Sequence, residues 1–497
     1  MFLLEALAAY GAGDRIAIRY GEDACSFSEL EQQTNAFAAW LLRTFGDDRT
    51  PILIYGHKEL SIPACMFGAL KSGRGYIPVD TTFPTERVRQ IVEEVSPKVI
   101  VDLYDLGLDA DVVLNREMLA QILQEDAPAD RSHWIQPDQT AYILFTSGST
   151  GKPKGVQITA ANIAAFETGV SPWFDLPLEH GVFLNEISYS FDVSVCALYY
   201  ALSRGMTLYT IDKSVLSDPK VLFEALRVSG IDYWVSTPSL AEICVQSEQF
   251  AADLLPQVKK FVFCGEVLTK KLAAQIMERF PGVPVLNAYG PTEATVLVTA
   301  AEVTPQMLDD PRAIPIGYAF DNVQTQIVDP AGNVLPDGEA GELLLIGPAV
   351  SPGYFQRPDL NKQAFFSHGI SRGYHTGDMC YMDSGLIYYV GRLDGQVKLN
   401  GFRIELEDIE NNLDCIENIA RAAVLPVFQD GKVVALTAFL MLEAPDGMSA
   451  LQRSRKIKAA LAEVLPSYML PRKFVVVDSF PLNTNGKIDK KALAAQI

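Results

Sequence analysis

Much of the chain before Gly391 alternates short apolar runs with amphipathic segments, which is the pattern of strands and helices in an α/β protein. The clearest unit lies in the middle of the chain. There, residues 260–264 (KFVFC) predict a buried strand, 269–280 predict a helix, and 283–287 (VPVLN) predict the next strand. Two strands joined by a helix pair in parallel and form a βαβ unit. Because ligands bind beyond the carboxyl ends of such strands, we expect the residues that follow both strands to face a ligand.

The pattern changes near Asp394, where a compact module of strand, helix, hairpin, helix and strand begins. An Asp-Gly pair at 430–431 predicts a hairpin turn between two apolar runs, and SALQ at 449–452 is a capping box that opens a helix. The apolar positions expected inside that helix are Leu451, Ile457, Leu461, Val464 and Leu465. The sequence therefore predicts a large domain over residues 1–393 and a smaller one over 394–497.

The charge balance excludes one class of partner. The 497 residues include 41 Lys and Arg against 61 Asp and Glu, a formal net charge of −20. A sequence-independent nucleic-acid binder needs a basic face that neutralises phosphates, so we expect no nucleic-acid partner. Residues 395–497 carry 13 basic and 12 acidic side chains, whereas residues 1–394 carry 28 and 49. The acidity belongs to the larger part of the chain.

The cysteines and the hydropathy indicate the compartment. The seven cysteines are widely spaced and include no C-x-x-C pair, which is typical of reduced thiols. The N-terminal segment lacks a basic region, and no run approaches the roughly 18 apolar residues of a membrane span. We therefore expect a cytoplasmic protein without membrane insertion. Neither H-E-x-x-H nor G-x-S-x-G occurs, so zinc peptidases and α/β-hydrolases lack their key residues here.

The segment TSGSTGKPKG at 146–155 follows the apolar run AYILF and precedes a helix that Thr159 can cap. Its glycines let backbone N–H groups approach a phosphate, its hydroxyls donate further bonds, and its lysines supply charge. The G-K-[ST] ending of a Walker A loop is absent. The same composition also fits a solvent-exposed Gly/Ser loop. The candidate phosphate-binding residues are Thr146, Ser147, Gly148, Ser149, Thr150, Gly151 and Lys154.

A second candidate segment, NAYGPTE at 287–293, follows the second strand of the βαβ unit. Its Gly-Pro pair forces a turn, Tyr289 could stack on a base, and Glu293 is a hard oxygen ligand suited to Mg²⁺ beside phosphates. An ordinary turn with a surface glutamate is the alternative. The candidate nucleotide-binding residues are Asn287, Ala288, Tyr289, Gly290, Pro291 and Thr292.

Two further segments, YHTGD at 374–378 and GRLD at 391–394, bracket a predicted hairpin turn at 384–385. Asp378 can accept both hydroxyls of a ribose, and Arg392 can reach sugar or phosphate oxygens. In isolation both segments also fit common turns and ion pairs.

Near the C-terminus, N-G-K at 485–487 predicts a tight turn with Lys487 at its tip. A lysine there suits negative charge that develops at phosphorus, although an N-G-K turn by itself is ordinarily only a solvated hairpin.

Together and in this order, the segments resemble the adenylate-forming superfamily of acyl-CoA synthetases, non-ribosomal peptide adenylation domains and luciferases. The matching motifs, which span residues 146–491, are TSGSTGKPKG, NAYGPTEATV, YHTGD, GRLDGQVKLNGFRIELEDIE and LPSYMLPRKF…LNTNGKID. The resemblance implies an α/β fold with a large N-terminal adenylate-forming domain built on βαβ-type sheets. It also implies a small α+β C-terminal domain on a hinge at Asp394.

The resemblance also implies ATP and Mg²⁺ as cofactors. It implies catalytic roles for Lys487 and for Glu293, which would hold Mg²⁺ through the ATP phosphates. The further ATP contacts that it implies are Asp378, Tyr389 and Arg392.

Other segments narrow the resemblance to the ligases of this superfamily that load D-alanine onto a carrier protein for D-alanylation of teichoic acid. They are IYGHKE, GYIPVD, FLNEISYSFDVSV, STPSLAE and FCGEVL. By this resemblance Asp192 holds the substrate ammonium and Lys487 also contacts the substrate. Cys264 crowds the α-carbon pocket in favour of the D-enantiomer, and Val296 lines the small side-chain site. An ammonium in a partly buried pocket needs a carboxylate, and neighbouring side chains must fill a pocket for one methyl group.

The partners so implied are D-alanine and a D-alanyl carrier protein with phosphopantetheine, and we expect a monomer. The less acidic C-terminal domain is expected to meet the carrier through residues 453–458 and 472–473. Three alternatives stay open. An adenylation enzyme for glycine or L-alanine would share every motif. An acyl-CoA ligase fits less well, because Asp192 is a poor neighbour for a fatty chain. A non-catalytic nucleotide-binding protein would not need Lys487 and Glu293.

Overall fold

The structure, a computed structural model, describes residues 2–128, 130–146, 153–175, 177, 180–393, 395–481, 488 and 490–494. The chain divides into two compact units. The first comprises residues 1–80, 95–144 and 155–393, and the second comprises residues 81–94, 145–154 and 394–497. Two segments of the first 393 residues thus group with the C-terminal residues. The hinge stays a prediction, because Asp394 lies outside the described residues.

The first unit contains a nine-stranded sheet whose central strands run parallel and whose edges are antiparallel. In sheet order its strands are β15 (Tyr318–Ala319), β14 (Thr299–Glu302), β13 (Val285–Tyr289), β12 (Lys260–Phe263), β11 (Tyr233–Ser236), β9 (Val182–Asn185), β10 (Thr207–Thr210), β1 (Ile16–Tyr20) and β2 (Asp23–Ser26). The βαβ prediction is confirmed. Helix α10 (Lys270–Arg279), capped by Thr269, joins β12 to its parallel neighbour β13.

A seven-stranded sheet contains the strands on either side of the predicted phosphate loop. In sheet order its strands are β18 (Gly353–Tyr354), β8 (Lys154–Thr159), β7 (Thr140–Thr146), β4 (Tyr76–Asp80), β3 (Ile52–Gly56), β5 (Val99–Asp102) and β6 (Val112–Leu114). Strands β3 and β4 are buried on both faces, as expected for parallel strands with continuous apolar runs. Gly56 lies opposite Asp80, so the carboxyl ends of β3 and β4 lie side by side.

A five-stranded antiparallel sheet completes the strands of this unit. Its members are β16 (Gln324–Val328), β17 (Gly341–Ile346), β19 (Phe365–His368), β20 (Ser371–Asp383) and β21 (Leu386–Arg392). The predicted hairpin at 384–385 is confirmed, because β20 and β21 pair in antiparallel register around it. That register sets Asp378 directly opposite Arg392.

The helices of this unit cover the sheets. They are α1 (Phe2–Tyr10), α2 (Phe27–Phe45), α3 (Ser61–Lys71), α5 (Arg116–Leu123), α6 (Ala160–Phe174), α7 (Lys213–Ser217), α8 (Pro219–Ser229), α9 (Pro238–Cys244), α10, α11 (Pro305–Asp309) and α12 (Pro358–Ala364). Short 3₁₀ helices span Arg131–His133 and Thr292–Ala294, and a π-helix spans Cys196–Ala201. Thr159 caps α6, as predicted, and forms a complete capping box with Asn162. The largest apolar core packs around the π-helix, where Tyr199 and Tyr200 are almost fully buried.

The second unit is α+β. Its elements are α4 (Thr85–Val95), β22 (Gln396–Leu399), β23 (Phe402–Glu405), α13 (Leu406–Asp414), β24 (Ile419–Gln429), β25 (Lys432–Leu442), α14 (Ala450–Ala462), a 3₁₀ helix (Ser467–Met469), β26 (Lys473–Val476) and α15 (Lys490–Ala494). The hairpin at 430–431 and the capping box at 449–452 are confirmed. The burial predicted for Leu451 is wrong, since its side chain is 62% exposed in the first turn of α14. That helix ends at Ala462, before Val464 and Leu465.

None of the helices in the described ranges combines the length and the hydropathy needed to cross a bilayer.

Candidate functional site

The carboxylate of Asp192 is held in place by the segment that was predicted to bind nucleotide. Asp192 lies between β9 and the π-helix, and its backbone carbonyl accepts a hydrogen bond from the N–H of Val195. Thr292 Oγ1 donates to Asp192 Oδ2 at 2.7 Å. A charge-assisted bond of this kind orients the carboxylate and leaves it able to accept further donors. The fold thus brings the proposed ammonium ligand to the turn after β13.

That turn is built around an unusual backbone. Thr295 and Val296 both have positive φ, +57° and +74°, and Val296 is 1% exposed. A β-branched residue in this region is strained by roughly 1–3 kcal/mol, so the surrounding structure must hold it there. Thr295 Oγ1 donates to the carbonyl of Ala349 at 2.6 Å. A Cβ on Gly290 would lie 2.3 Å from the Val296 carbonyl oxygen, so only glycine allows this close approach.

Cys264 immediately follows β12, at the strand end where a ligand was expected. It is 1% exposed, its backbone N–H donates to the carbonyl of Ser236 at 3.2 Å, and it belongs to the same apolar core as Val296. The thiol is therefore a packed, space-filling group.

Two further residues, Cys196 and Tyr142, adjoin this place and were not predicted. Burial raises the pKa of Cys196 well above its ordinary value, and the neighbouring Cys264 and Asp192 add to the rise. Burial also raises the pKa of Tyr142, with smaller contributions from Tyr76 and Asp192. The two groups are thus neutral and sense the Asp192 charge. The sequence offered one clue to each of them: Cys196 lies four residues after Asp192, and Tyr142 lies four residues before Thr146.

The predicted ribose-binding residues form a connected network. Tyr289 Oη donates to Asp378 Oδ2, and Arg392 Nη1 donates to Asp378 Oδ1 and to the Thr376 carbonyl, both at 2.9 Å. Asp378 is 2% exposed. Burial and the Asp378 charge raise the pKa of Tyr289, so its hydroxyl keeps the proton that it donates. Each carboxylate oxygen has two lone pairs, so Asp378 can still accept ribose hydroxyls. Tyr389 is half-buried on β21, beside this network in the strand order.

Glu293 is fully buried, and its carboxylate is anchored. Tyr354 Oη donates to Glu293 Oε1 at 2.8 Å, and the Ser351 N–H donates to the Glu293 carbonyl at 2.9 Å. Within the described part of the chain, no three Asp, Glu, His or Cys side chains converge as a metal site. Mg²⁺ is commonly held by one or two carboxylates together with substrate phosphates, so a single carboxylate fits a Mg²⁺ that arrives with a nucleotide.

Asn287 has a structural bond of its own. Its Nδ2 donates to the Pro315 carbonyl at 2.8 Å, which ties the end of β13 to the segment before β15. Ala288 and Pro291 are buried beside it, and Gly290 is half-buried.

The phosphate-loop candidates are described at their two ends. Thr146 ends β7, and its Oγ1 is buried with no hydrogen-bond partner among the described residues. A buried hydroxyl of this kind fits a phosphate ligand. Lys154 begins β8, and its Nζ forms an ion pair with Glu405 Oε1 at 3.3 Å within the second unit. The predicted site residues outside the described residues are Ser147, Gly148, Ser149, Thr150, Gly151, Lys487 and the hinge residue Asp394.

Family models match both parts of the chain. The model described as AMP-binding enzyme matches residues 5–355, and the one described as AMP-binding enzyme C-terminal domain matches residues 408–487. The chain belongs to the AMP-binding enzyme family. It therefore has the adenylate-forming fold, with a large N-terminal and a smaller C-terminal domain, and it is an ATP-using ligase.

Within this AMP-binding enzyme family, the chain is 40% identical over 487 residues to a D-alanine–D-alanyl carrier protein ligase of Listeria monocytogenes serotype 4a, covering 96% of this chain and 95% of the relative. A Bacillus cereus protein of the same name is 38% identical over 510 residues, with full coverage of both chains. A solved NRPS protein containing adenylation and PCP domains, bound to a vinylsulfonamide inhibitor, is 26% identical with a TM-score of 0.84, covering 100% of this chain and 84% of that one.

Proposed function

We propose that this ligase activates D-alanine with ATP to D-alanyl-AMP and transfers the D-alanyl group to the phosphopantetheine thiol of a D-alanyl carrier protein, for D-alanylation of teichoic acid. The observation that carries the proposal is the Asp192 carboxylate, oriented by Thr292 at 2.7 Å beside a tightly packed core. An ammonium group placed against it would be neutralised, whereas a fatty acyl chain would leave the charge unsatisfied. The names of the relatives support the same substrate and the same acceptor.

The choice of alanine rests on the volume next to that carboxylate. Cys264 and Val296 are each 1% exposed and belong to one close-packed core, so a substrate side chain larger than methyl would have to displace them. Cys264 would crowd one side of the α-carbon and so disfavour the L-enantiomer. Discrimination between substrates that differ by one methyl group is modest, about 1–3 kcal/mol, so glycine is the natural competitor.

Two sets of predicted residues would hold ATP. Asp378, with Tyr289 and Arg392 bound to its two oxygens, would accept the ribose hydroxyls, and Thr146 would donate to a phosphate. Glu293 would hold Mg²⁺ through the ATP phosphates, and the metal would supply neutralisation of the charge that develops on them. The Lys154 ammonium would add positive charge for the ATP phosphates.

The chemistry needs no side-chain nucleophile. The D-alanine carboxylate would attack the α-phosphorus and release pyrophosphate, and the carrier thiol would then attack the acyl carbon and release AMP. Catalysis is therefore positioning and charge stabilisation, and Lys487 would supply part of the positive charge. Rotation about Asp394 would withdraw Lys487 for the second step.

We also propose that the enzyme acts in the cytoplasm as a monomer. We further propose that it binds no nucleic acid, because its net charge of −20 would repel phosphates. The rival function is a stand-alone adenylation enzyme for glycine or L-alanine. Amino-acid-dependent exchange of pyrophosphate into ATP separates the two, and loading of a phosphopantetheinylated carrier with labelled D-alanine tests the second half-reaction. Failure of every amino acid to drive exchange would favour a non-catalytic nucleotide-binding protein.

A further inference from the structure

A buried lysine holds the loop that leads to Asp192. Lys58 lies just after β3 and is 1% exposed. Its Nζ donates to Asn185 Oδ1 at 2.9 Å and to the Ile187 carbonyl at 2.5 Å, and it lies 3.9 Å from the centre of the Tyr189 ring. The Lys58 ammonium thus makes two hydrogen bonds and one cation–π contact, all with residues 185–189.

The next strand end holds the same loop from the other side. Asp80, at the end of β4, accepts a hydrogen bond from Ser188 Oγ at 2.6 Å, and Ser190 Oγ donates to the Pro78 carbonyl at 3.0 Å. The His57 ring also donates to Asp80, at 2.6 Å. Burial opposes ionisation of Asp80, but the bonds from His57 and Ser188 and the charge of Lys213 hold its pKa below the ordinary value. Asp80 therefore stays an anionic acceptor.

These contacts leave the loop few ways to move before it reaches Asp192. Hydrogen bonds from the ends of β3 and β4 reach residues 185, 187, 188 and 190, and Asn185 Nδ2 adds bonds to Tyr189 Oη at 3.1 Å and to Thr210 Oγ1 at 3.0 Å. Asp192 follows two residues after the last anchored position. The side chain of Asp192 is therefore aimed from one side by this scaffold and from the other by Thr292.

Stability does not account for a lysine at this position. Burial lowers the pKa of Lys58 to about 7, against the opposing charges of Glu186 and Asp80. Burying an ammonium is costly, and replacing a whole buried polar cluster with packed apolar side chains is often neutral or stabilising, although removing one partner alone destabilises. What methionine could not replace is the pair of hydrogen bonds to the loop.

We propose that Lys58 is a positioning residue for substrate recognition: by holding residues 185–189, it places the Asp192 carboxylate where the ammonium of the amino acid binds. The inference rests on the proposed function of Asp192. Lys58 touches neither the substrate nor the reacting atoms, and its effect passes entirely through the loop. Its loss therefore weakens amino-acid binding and spares the nucleotide.

The test uses the full-length enzyme and amino-acid-dependent pyrophosphate exchange. Lys58→Met is expected to raise the KM for D-alanine at least tenfold while the KM for ATP changes less than twofold. Lys71→Met is the matched control. Lys71 is 2% exposed, and its Nζ donates to Glu31 at 2.6 Å and to Asn35 at 2.8 Å, both of which lie on α2 rather than on the 185–192 loop. Its replacement should lower the melting temperature without changing the ratio of the two KM values.

A double-variant cycle separates positioning from general damage. Lys58→Met and Thr292→Val both disturb the same carboxylate, so their effects should not be independent. We expect the fold-rise in the KM for D-alanine of the double variant to be less than half the product of the two single-variant fold-rises. A double-variant fold-rise within twofold of that product would overturn the proposal. Equal rises in the KM for D-alanine and the KM for ATP in Lys58→Met would also overturn it. If Lys58→Met fails to fold, Ser188→Ala, which loses the bond to Asp80 and the weaker bond from the Ser190 N–H, should show the same KM split in milder form. Absence of D-alanine-dependent exchange in the wild-type enzyme would instead refute the proposed function.

Discussion

The hydroxyl of Thr292 donates a hydrogen bond to the carboxylate of Asp192 at 2.7 Å, across 100 positions of the sequence. Thr292 belongs to the NAYGPTE segment, which the sequence assigns to the nucleotide, whereas Asp192 is the proposed ligand of the substrate ammonium. One turn of chain therefore contacts a residue of each proposed site, since Tyr289 in the same segment donates to Asp378.

Thr292→Val is expected to affect the amino acid rather than the nucleotide. A hydrogen bond to a charged group contributes about 1.5–3 kcal/mol, so the KM for D-alanine should rise roughly tenfold or more, with less than a twofold change for ATP. Steady-state pyrophosphate exchange measures both. Thr304→Val, which removes only the cap of the short helix α11, is the control and should change neither. A rise confined to the KM for ATP would show that Thr292 serves the nucleotide alone.

Tyr289→Phe should give the opposite selectivity. It removes the hydroxyl that bonds Asp378, so the carboxylate that we propose for the ribose is less well oriented. We expect the KM for ATP to rise several-fold, from a loss of about 1–2 kcal/mol, while the KM for D-alanine stays within twofold. Tyr381→Phe is the matched control, because Tyr381 lies on β20 with Asp378 and its ring stacks on Tyr388, with the ring centres 4.9 Å apart. Equal effects of the two variants on ATP would contradict the role of the Tyr289 hydroxyl.

Gly290→Ala should destabilise the protein through one close contact. The added methyl would lie 2.3 Å from the Val296 carbonyl oxygen, and overpacking of this kind typically costs about 1–3 kcal/mol. Urea denaturation followed by intrinsic fluorescence measures the free energy of unfolding. Gly13→Ala, whose methyl would meet nothing closer than 3.8 Å, should be near neutral. Unfolding midpoints that agree for the two variants would show that the turn can relax around the extra methyl.

The carrier-binding prediction needs one correction. The sequence groups Arg453 with Arg455 and Lys456, but Arg453 forms a two-pronged ion pair with Asp446 at 2.6 and 2.7 Å. Arg455 and Lys456 are exposed. Their double reversal to glutamate should raise the KM for the carrier about tenfold at low salt and less at high salt, without altering pyrophosphate exchange. A KM for the carrier that ignores both the reversal and the salt would place the carrier elsewhere.

Elements with local signals could be predicted from the sequence. The βαβ unit was predictable because a capping threonine and an apolar period mark α10, and the capping box at 449–452 marks the start of α14 in the same way. Such signals predict where a helix begins, but they do not predict which of its faces packs against the rest of the protein. Leu451, 62% exposed, therefore lies on the side of α14 opposite to the prediction.

The arrangement of the site was harder to predict, because its contacts join distant segments. The segment IYGHKE, which contains Lys58, supports the family resemblance, but it does not predict that Lys58 is buried against Asn185, which is 127 residues away. The same holds for the bond between Thr292 and Asp192. The family resemblance named Asp192, Cys264 and Val296, but only the fold adds Tyr142 and Cys196 beside them.

The most direct test of the account is pyrophosphate exchange by the purified enzyme with D-alanine, L-alanine, glycine and D-serine, each with ATP and Mg²⁺. The Asp192 carboxylate beside a core filled by Cys264 and Val296 predicts the highest kcat/KM for D-alanine, with L-alanine at least tenfold lower. Asp192→Asn should lose most of the activity with every amino acid. Equal or better exchange with glycine or L-alanine, or full activity of Asp192→Asn with D-alanine, would contradict the account.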